Sequence, residues 1–278
     1  MSNFRIPLAA VVGSPVAHSR SPALHRYWLR KYGIQGYYVP IDIAAADLAE
    51  AVASLPKLGF VGVNVTIPHK ERILEFADLV TDRAALMGAA NTIIFRKDGK
   101  VHADNTDGYG FIENLRQGAP DWNPKAGPAA VIGAGGAARA VVASLLDAGA
   151  PEIRISNRTR GRADALRAEF GARLQVYDWV GAGNAIDGAL TVVNASSLGM
   201  TGKSPFRVPL DGLSPKAVVT DLVYTPLETP LLEQARKTGC RTVDGLGMLL
   251  YQAVPAFERW FGLRPEVDEG LRSAVLGP

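Results

Sequence analysis

Eight residues constrain this chain more than any others: Val131-Ile132-Gly133-Ala134-Gly135-Gly136-Ala137-Ala138. They close one apolar run (AAVIG) and open another with helical spacing (AARAVVASLLDAG), so the stretch reads as strand, tight turn, helix. Gly133, Gly135 and Ala138 keep the spacing G-x-G-x-x-A. The first glycine permits the turn, the second lets the backbone approach a pyrophosphate, and the alanine allows close helix–strand packing. The amides at the helix N-terminus would then face the phosphates.

The surroundings repeat the theme. From residue 128 onward, EIRIS, RLQVYDW, ALTVVNASS and AVVTDLVY alternate with RADALRAEF and TPLLEQARKTG, which predicts a parallel sheet with right-handed helical crossovers. The first hundred residues alternate as well. AAVVG, YYVPID and GFVGVNVTIP read as strands, with SPALHRYWLRKYG and AADLAEAVASL as helices between them. NTIIFRKDGKVHAD reads as a hairpin turning on the two residues Asp98-Gly99. DGLGMLLYQAVPAFERWFG is a strong amphipathic helix, and Gly245 and Gly247 would let the chain turn back to the first unit. The expected architecture is α/β with two domains and a cleft between them. A discontinuous N-terminal domain with a mostly parallel sheet takes 1–107 and 246–278, and a Rossmann-type domain takes 108–245.

The second strand of that domain bears on the nucleotide. An acid at its tip would hold the ribose 2′-hydroxyl of NAD. EIRIS instead runs into Asn157-Arg158-Thr159-Arg160-Gly161-Arg162, which suits a 2′-phosphate and favours NADP.

Polar residues gather at strand ends in the first domain. Ser21-Pro22 reads as an N-cap with proline at the first helical position, and Ser19 lies two residues before on extended chain, so the two hydroxyls form a candidate carboxylate site. Pro68 ends the strand containing Asn64 and Thr66, and KERILEFADLV after it reads as a helix with Lys70 in its first turn. A cation is out of place there, where the helix dipole favours anions. Asn91 precedes the hairpin and Asp107 lies in DNTDG. Such a set of donors and acceptors suits a polyhydroxylated acid.

Composition narrows the rest. With 278 residues, 47% of them hydrophobic, there is material for two domains, and no apolar run approaches the ~20 residues of a membrane span. One cysteine excludes an intrachain disulfide and fits a cytoplasmic protein. The four histidines lack metal-ligand spacing, so no metal is expected. A net charge of +3, with no long basic stripe, suits small anions and argues against nucleic acid.

GSPVAHSRSP, NVTIPHK, GAANT, DNTDG, GAGGAA, NRTRGR and DGLGMLLYQ occur in that order, and by them the chain resembles the NADP-dependent shikimate dehydrogenases over nearly its whole length. The resemblance implies reversible hydride transfer from NADPH to the ring ketone of 3-dehydroshikimate in aromatic amino acid biosynthesis. It makes Lys70 and Asp107 the catalytic pair, handling proton and charge at the reacting oxygen. Ser19, Ser21, Asn64, Thr66, Asn91, Asp107, Tyr224 and Gln252 would line the substrate pocket. Gly133, Ala134, Gly135, Gly136, Ala137, Asn157, Arg158, Thr159 and Arg162 would hold the cofactor, with Leu222 and Gly245 near the nicotinamide and Asp82 a further contact. The expected protein is a monomer or homodimer. Two other readings stand beside this one: a quinate/shikimate dehydrogenase with broader substrate or cofactor use, and a non-catalytic NADP-binding sensor.

Overall fold

The computed structural model describes residues 6–277, which fall into two compact units. One holds the chain as far as Thr106 and again from Gln252; the other is Asp107–Tyr251.

The first unit begins with β1 (Leu8–Gly13), α1 (Ser21–Lys31), β2 (Tyr37–Asp42), α2 (Leu48–Ser54) and β3 (Phe60–Val65). β4 (Leu79–Val80), α3 (Asp82–Met87), β5 (Thr92–Phe95) and β6 (Val101–Asp104) follow. The six strands form one sheet in the order β2-β1-β3-β5-β6-β4, in which β3–β5 and β5–β6 are antiparallel and the other three pairings parallel. Ala10, Val12, Val63, Val65, Ile93 and Ala103 supply its core with Ile43, Leu48, Val52 and Leu55.

The second unit runs through α4 (Asp107–Gly118), β7 (Ala129–Ile132), α5 (Gly136–Asp147), β8 (Ile153–Ser156), α6 (Arg160–Phe170) and β9 (Leu174–Tyr177). It continues with α7 (Ala182–Ile186), β10 (Thr191–Asn194), β11 (Val218–Asp221), α8 (Pro230–Lys237) and β12 (Arg241–Val243). The strand order is β12-β11-β10-β7-β8-β9 and every pairing is parallel. Counted from β7, that is the 3-2-1-4-5-6 order of a dinucleotide-binding sheet, with its switch point between β7 and β10. Val131, Val193, Ile153 and Ile155 face one side and Ile132, Val192 and Val219 the other, as strands covered by helices on both faces require.

α9 (Leu246–Phe261) starts in the second unit and ends in the first, and α10 (Glu269–Leu276) closes the first. Gly247 accommodates Asn114, whose Oδ1 would lie 1.8 Å from a Cβ there, and Asn114 Nδ2 donates to the Asp244 carbonyl at 2.7 Å. At the other end, Trp260 donates from Nε1 to the Ile93 carbonyl at 3.1 Å and lies over Gly62, where a Cβ would stand 2.0 Å from that nitrogen. Trp28, Phe257 and Trp260 surround His25, which stacks on Tyr38 at 3.9 Å between ring centroids. Burial lowers the His25 pKa to about 3, with Asn64 opposing the shift. The unfolded imidazole titrates near ~6.5, so folding excludes a proton from this site. Stability of the first unit is therefore full above pH ~6.5 and falls as pH drops toward 3, which thermal melts across that range would show as a declining Tm.

Three local expectations are corrected. KERILEFADLV is not an α-helix: a single 3-10 stretch, Arg72–Phe76, gives way to β4, because Leu79 and Val80 pair with β6 at the sheet edge and draw the chain straight. Lys70 sits in the turn before that stretch, not in a helix, so the helix-dipole argument does not apply to it. The hairpin turns on three residues: Arg96 N–H donates to the Lys100 carbonyl at 2.9 Å, and Gly99 takes the left-handed conformation (φ 82°). Ser21 is the first residue of α1 and Arg20 occupies the cap position, while Ser19 Oγ accepts the Ser21 N–H at 3.3 Å in a turn, not in extended chain.

Candidate active site

In the first unit the site is built from loops that leave β1, β3 and β6. Gly13 brings the first two together, since a Cβ there would lie 2.4 Å from Thr66 Cγ2. Ser14 N–H donates to the Ile67 carbonyl and Thr66 N–H to the Val12 carbonyl. His69, fully buried, donates from Nε2 to the Ile43 carbonyl at 2.7 Å, and the Ala90 N–H reaches the Lys70 carbonyl at 2.7 Å. The backbone on both sides of Lys70 is thereby fixed, and the side chain is half-buried.

Behind this loop runs a connected set of side chains. The Tyr38 hydroxyl donates to Asn64 Oδ1 at 2.7 Å; Asn64 Nδ2 donates to the Asn91 carbonyl and to Thr92 Oγ1. A carbonyl only accepts, so the orientation of the Asn64 amide follows from its neighbours. Thr92 Oγ1 donates to Asn91 Oδ1, which also takes the Thr106 N–H and hydroxyl, and Asn91 Nδ2 donates to Gln252 Oε1 at 3.2 Å. Burial pushes the Tyr38 phenol well up, and a bond with the Ser21 hydroxyl opposes this. Ser21, Asn64, Asn91 and Gln252 are thus brought together, with Tyr38, Thr92 and Thr106 as linkers.

Asp104 secures the segment before Asp107. Burial raises its pKa, but Arg83 on both oxygens, the Thr81 hydroxyl and the Asn105 N–H outweigh that and hold it below the usual carboxylate range. Asp107 itself is the first residue of α4 and half-buried. Asp82 is exposed in the first turn of α3, whose cap is Thr81.

The second unit carries the cradle. Gly133 has φ 116°, and a Cβ there would press on Ala195 at 2.9 Å. Nothing lies within 4 Å of a Cβ on Gly135 or Gly136, and α5 begins with no side-chain cap. An open glycine surface beside uncapped helix amides fits a pyrophosphate. Asn157 braces it: its Oδ1 accepts the Ala134 N–H at 3.2 Å and its Nδ2 donates to the Thr159 carbonyl at 2.8 Å. Ala137, Thr159, Arg158 and Arg162 are exposed around this turn. Arg160 pairs with Asp178 and Asp164, whereas Arg158 and Arg162 form no ion pair among the described residues. Two guanidiniums without an ion pair, Arg158 after β8 and Arg162 in the first turn of α6, fit a 2′-phosphate. Across the switch point, Gly245 passes so close to β11 that a Cβ would stand 2.5 Å from the Leu222 carbonyl oxygen, and Tyr224 follows half-buried.

Sequence reasoning missed Tyr38, Thr92, Arg83 and Asp104 as parts of the site. The Tyr38–Asn64, Asn64–Thr92 and Arg83–Asp104 bonds join residues 21 to 28 positions apart, so only the strand pairing reveals them.

Comparison with known proteins bears on all of this. Models of the shikimate dehydrogenase substrate binding domain, of shikimate / quinate 5-dehydrogenase and of the shikimate 5′-dehydrogenase C-terminal domain match residues 11–93, 121–197 and 245–274. A shikimate dehydrogenase (NADP+) of Cereibacter sphaeroides is 70% identical over 99% of this chain and 98% of its own. The shikimate 5-dehydrogenase of Thermus thermophilus, solved with NADP(H) and shikimate, is 37% identical, with a TM-score of 0.86 over 98% of both chains. The quinate dehydrogenase of Corynebacterium glutamicum, solved with NAD, is 32% identical, with a TM-score of 0.90 over 98% of this chain and 99% of that one.

Proposed function

This chain belongs to the shikimate dehydrogenase family and interconverts 3-dehydroshikimate and shikimate with NADPH and NADP+, and we propose which of its residues carry the reaction. Lys70 and Asp107 act at the reacting ring oxygen. The Lys70 ammonium stabilises negative charge as it develops there and is the proton donor nearest in kind, while the Asp107 carboxylate accepts from a ring hydroxyl and holds the ring in register. Ser19 and Ser21 take the carboxylate, and Thr66, Asn91, Tyr224 and Gln252 take the ring hydroxyls. Asn64 spends both amide hydrogens on Asn91 and Thr92, so its part is to hold them.

NADPH, when bound, supplies the hydride. Gly133 through Ala137 receive its pyrophosphate, Asn157 and Thr159 shape the adjoining turn, Arg158 and Arg162 bind the 2′-phosphate, and Leu222 and Gly245 floor the nicotinamide end. Asp82 is a lesser contact. The protein acts in the cytoplasm, alone or as a homodimer; among the described residues no helix is long and apolar enough to cross a membrane.

The observation that carries the reading is the pair of arginines without an ion pair, Arg158 and Arg162, between β8 and the first turn of α6, in a domain with an open glycine cradle. Initial rates at 340 nm with shikimate or quinate, each with NADP+ or NAD+, test it. Shikimate with NADP+ should dominate; dominance of quinate or NAD+ would move the protein to the broader quinate/shikimate type. Binding of NADP+ without turnover of either acid would leave the sensor reading. Arg158→Ala should weaken NADP+ at least about tenfold more than NAD+, since it removes a charge-assisted contact that only the 2′-phosphate makes. Equal losses in fluorescence titrations of the two nucleotides would remove the 2′-phosphate assignment.

A further inference from the structure

Asp221 ends β11 and is completely buried, yet its partners are all neutral donors. Asn194 Nδ2 and the Val223 N–H reach Oδ1 at 2.9 Å each, and the Thr229 hydroxyl reaches Oδ2 at 2.7 Å. Thr229 Oγ1 also accepts the Leu232 N–H, which leaves its hydroxyl proton available to Asp221. Three donors converging on the two oxygens suit a carboxylate. Burial pushes the Asp221 carboxyl up, and the three hydrogen bonds oppose the shift. No Lys, Arg or His pairs with it among the described residues. The charge is held by dipoles alone, an arrangement that costs stability and is uncommon in a structural core.

Its position in the sheet gives that charge a use. With a 2′-phosphate held after β8 and a pyrophosphate at α5, the nicotinamide end would fall across the switch point, toward β10 and β11. Asn194 and Asp221 are register partners at the carboxyl ends of these two strands. Leu222 follows directly, and a Cβ on Gly245 would stand 2.6 Å from the Asp221 carbonyl oxygen.

We propose that Asp221, through its buried and unbalanced negative charge, makes this protein favour the oxidised over the reduced form of its cofactor. The oxidised nicotinamide ring is a cation and the reduced ring is neutral, so a fixed carboxylate beneath it attracts one form and is indifferent to the other. Asp221 acts here by charge, without touching the ring. The inference rests on the NADP reading of this site and adds to it a thermodynamic bias between the two forms.

Separate titrations of the purified protein with NADP+ and with NADPH, following fluorescence or heat, test it. Asp221→Asn should weaken NADP+ about tenfold and NADPH by no more than about twofold. Equal weakening of both would make Asp221 a purely structural residue, and an unchanged ratio would equally overturn the assignment. Asp221→Ser serves as a second neutral variant should the amide disturb folding, and is held to the same ratio. The wild-type protein gives an independent reading, because NADP+ should bind more tightly than NADPH; the reverse order overturns the proposal whether or not the variants fold. A protein that bound neither nucleotide would instead defeat the cofactor assignment from which this inference starts.

Discussion

Lys70→Ala is expected to lower kcat for shikimate oxidation about a thousandfold while changing KM for shikimate by no more than about threefold. Near-native kcat in a folded variant would remove Lys70 from the chemistry. Two ties of the loop do not involve the side chain: the Ala90 N–H bonds to the carbonyl of residue 70, and His69 bonds to Ile43. Truncation deletes an ammonium and keeps both of these ties. If the ammonium acts only where charge develops on the ring oxygen, ground-state binding keeps nearly all its contacts and the loss falls on turnover. A loss confined to KM would place Lys70 among the binding residues.

Gly62→Ala should destabilise the first unit by at least about 3 kcal/mol, lowering its melting temperature by on the order of 10 °C. Gly62 sits in β3 opposite Ile94, and a Cβ there would stand 2.0 Å from Trp260 Nε1 and 2.3 Å from the Ile93 carbonyl oxygen. One obstacle is backbone in the middle of a sheet; the other is the indole that bonds to it. Neither can yield without breaking the Trp260–Ile93 hydrogen bond or displacing β5. An unchanged melting curve would show that α9 can shift on the sheet, which the closeness of Trp260 to the strand argues against.

The glycine cradle, the arginine turn and the polar residues at strand ends were legible because each is local: the chemistry is written in adjacent residues. Strand–helix alternation likewise foretold the parallel second sheet. Lys70 shows the limit of local reading. Ile73, Leu74 and Phe76 have helical spacing, but Leu79 and Val80 are taken by β6, a partner more than twenty residues further along, and pairing overrode periodicity. Asp221 shows the same limit from the other side. In AVVTDLVY it looks like a strand-end residue, and only the return of Asn194 and Thr229 to its side reveals a buried charge.

α9 also bears on the order in which the protein can be made. Residues 107–251 form a compact unit with its own sheet complete in a single run of chain. The residues before them do not: Trp260 closes over β3 and β5, Phe257 packs beside Trp28, and Asp268 ties down Tyr27 and Lys31. During synthesis β3 and β5 emerge well before α9, the helix whose Trp260 closes over them. Proline at position 40 then has a role beyond the folded state. β2 is an edge strand of that waiting sheet, and a residue with no N–H in its middle hinders another chain from adding to it.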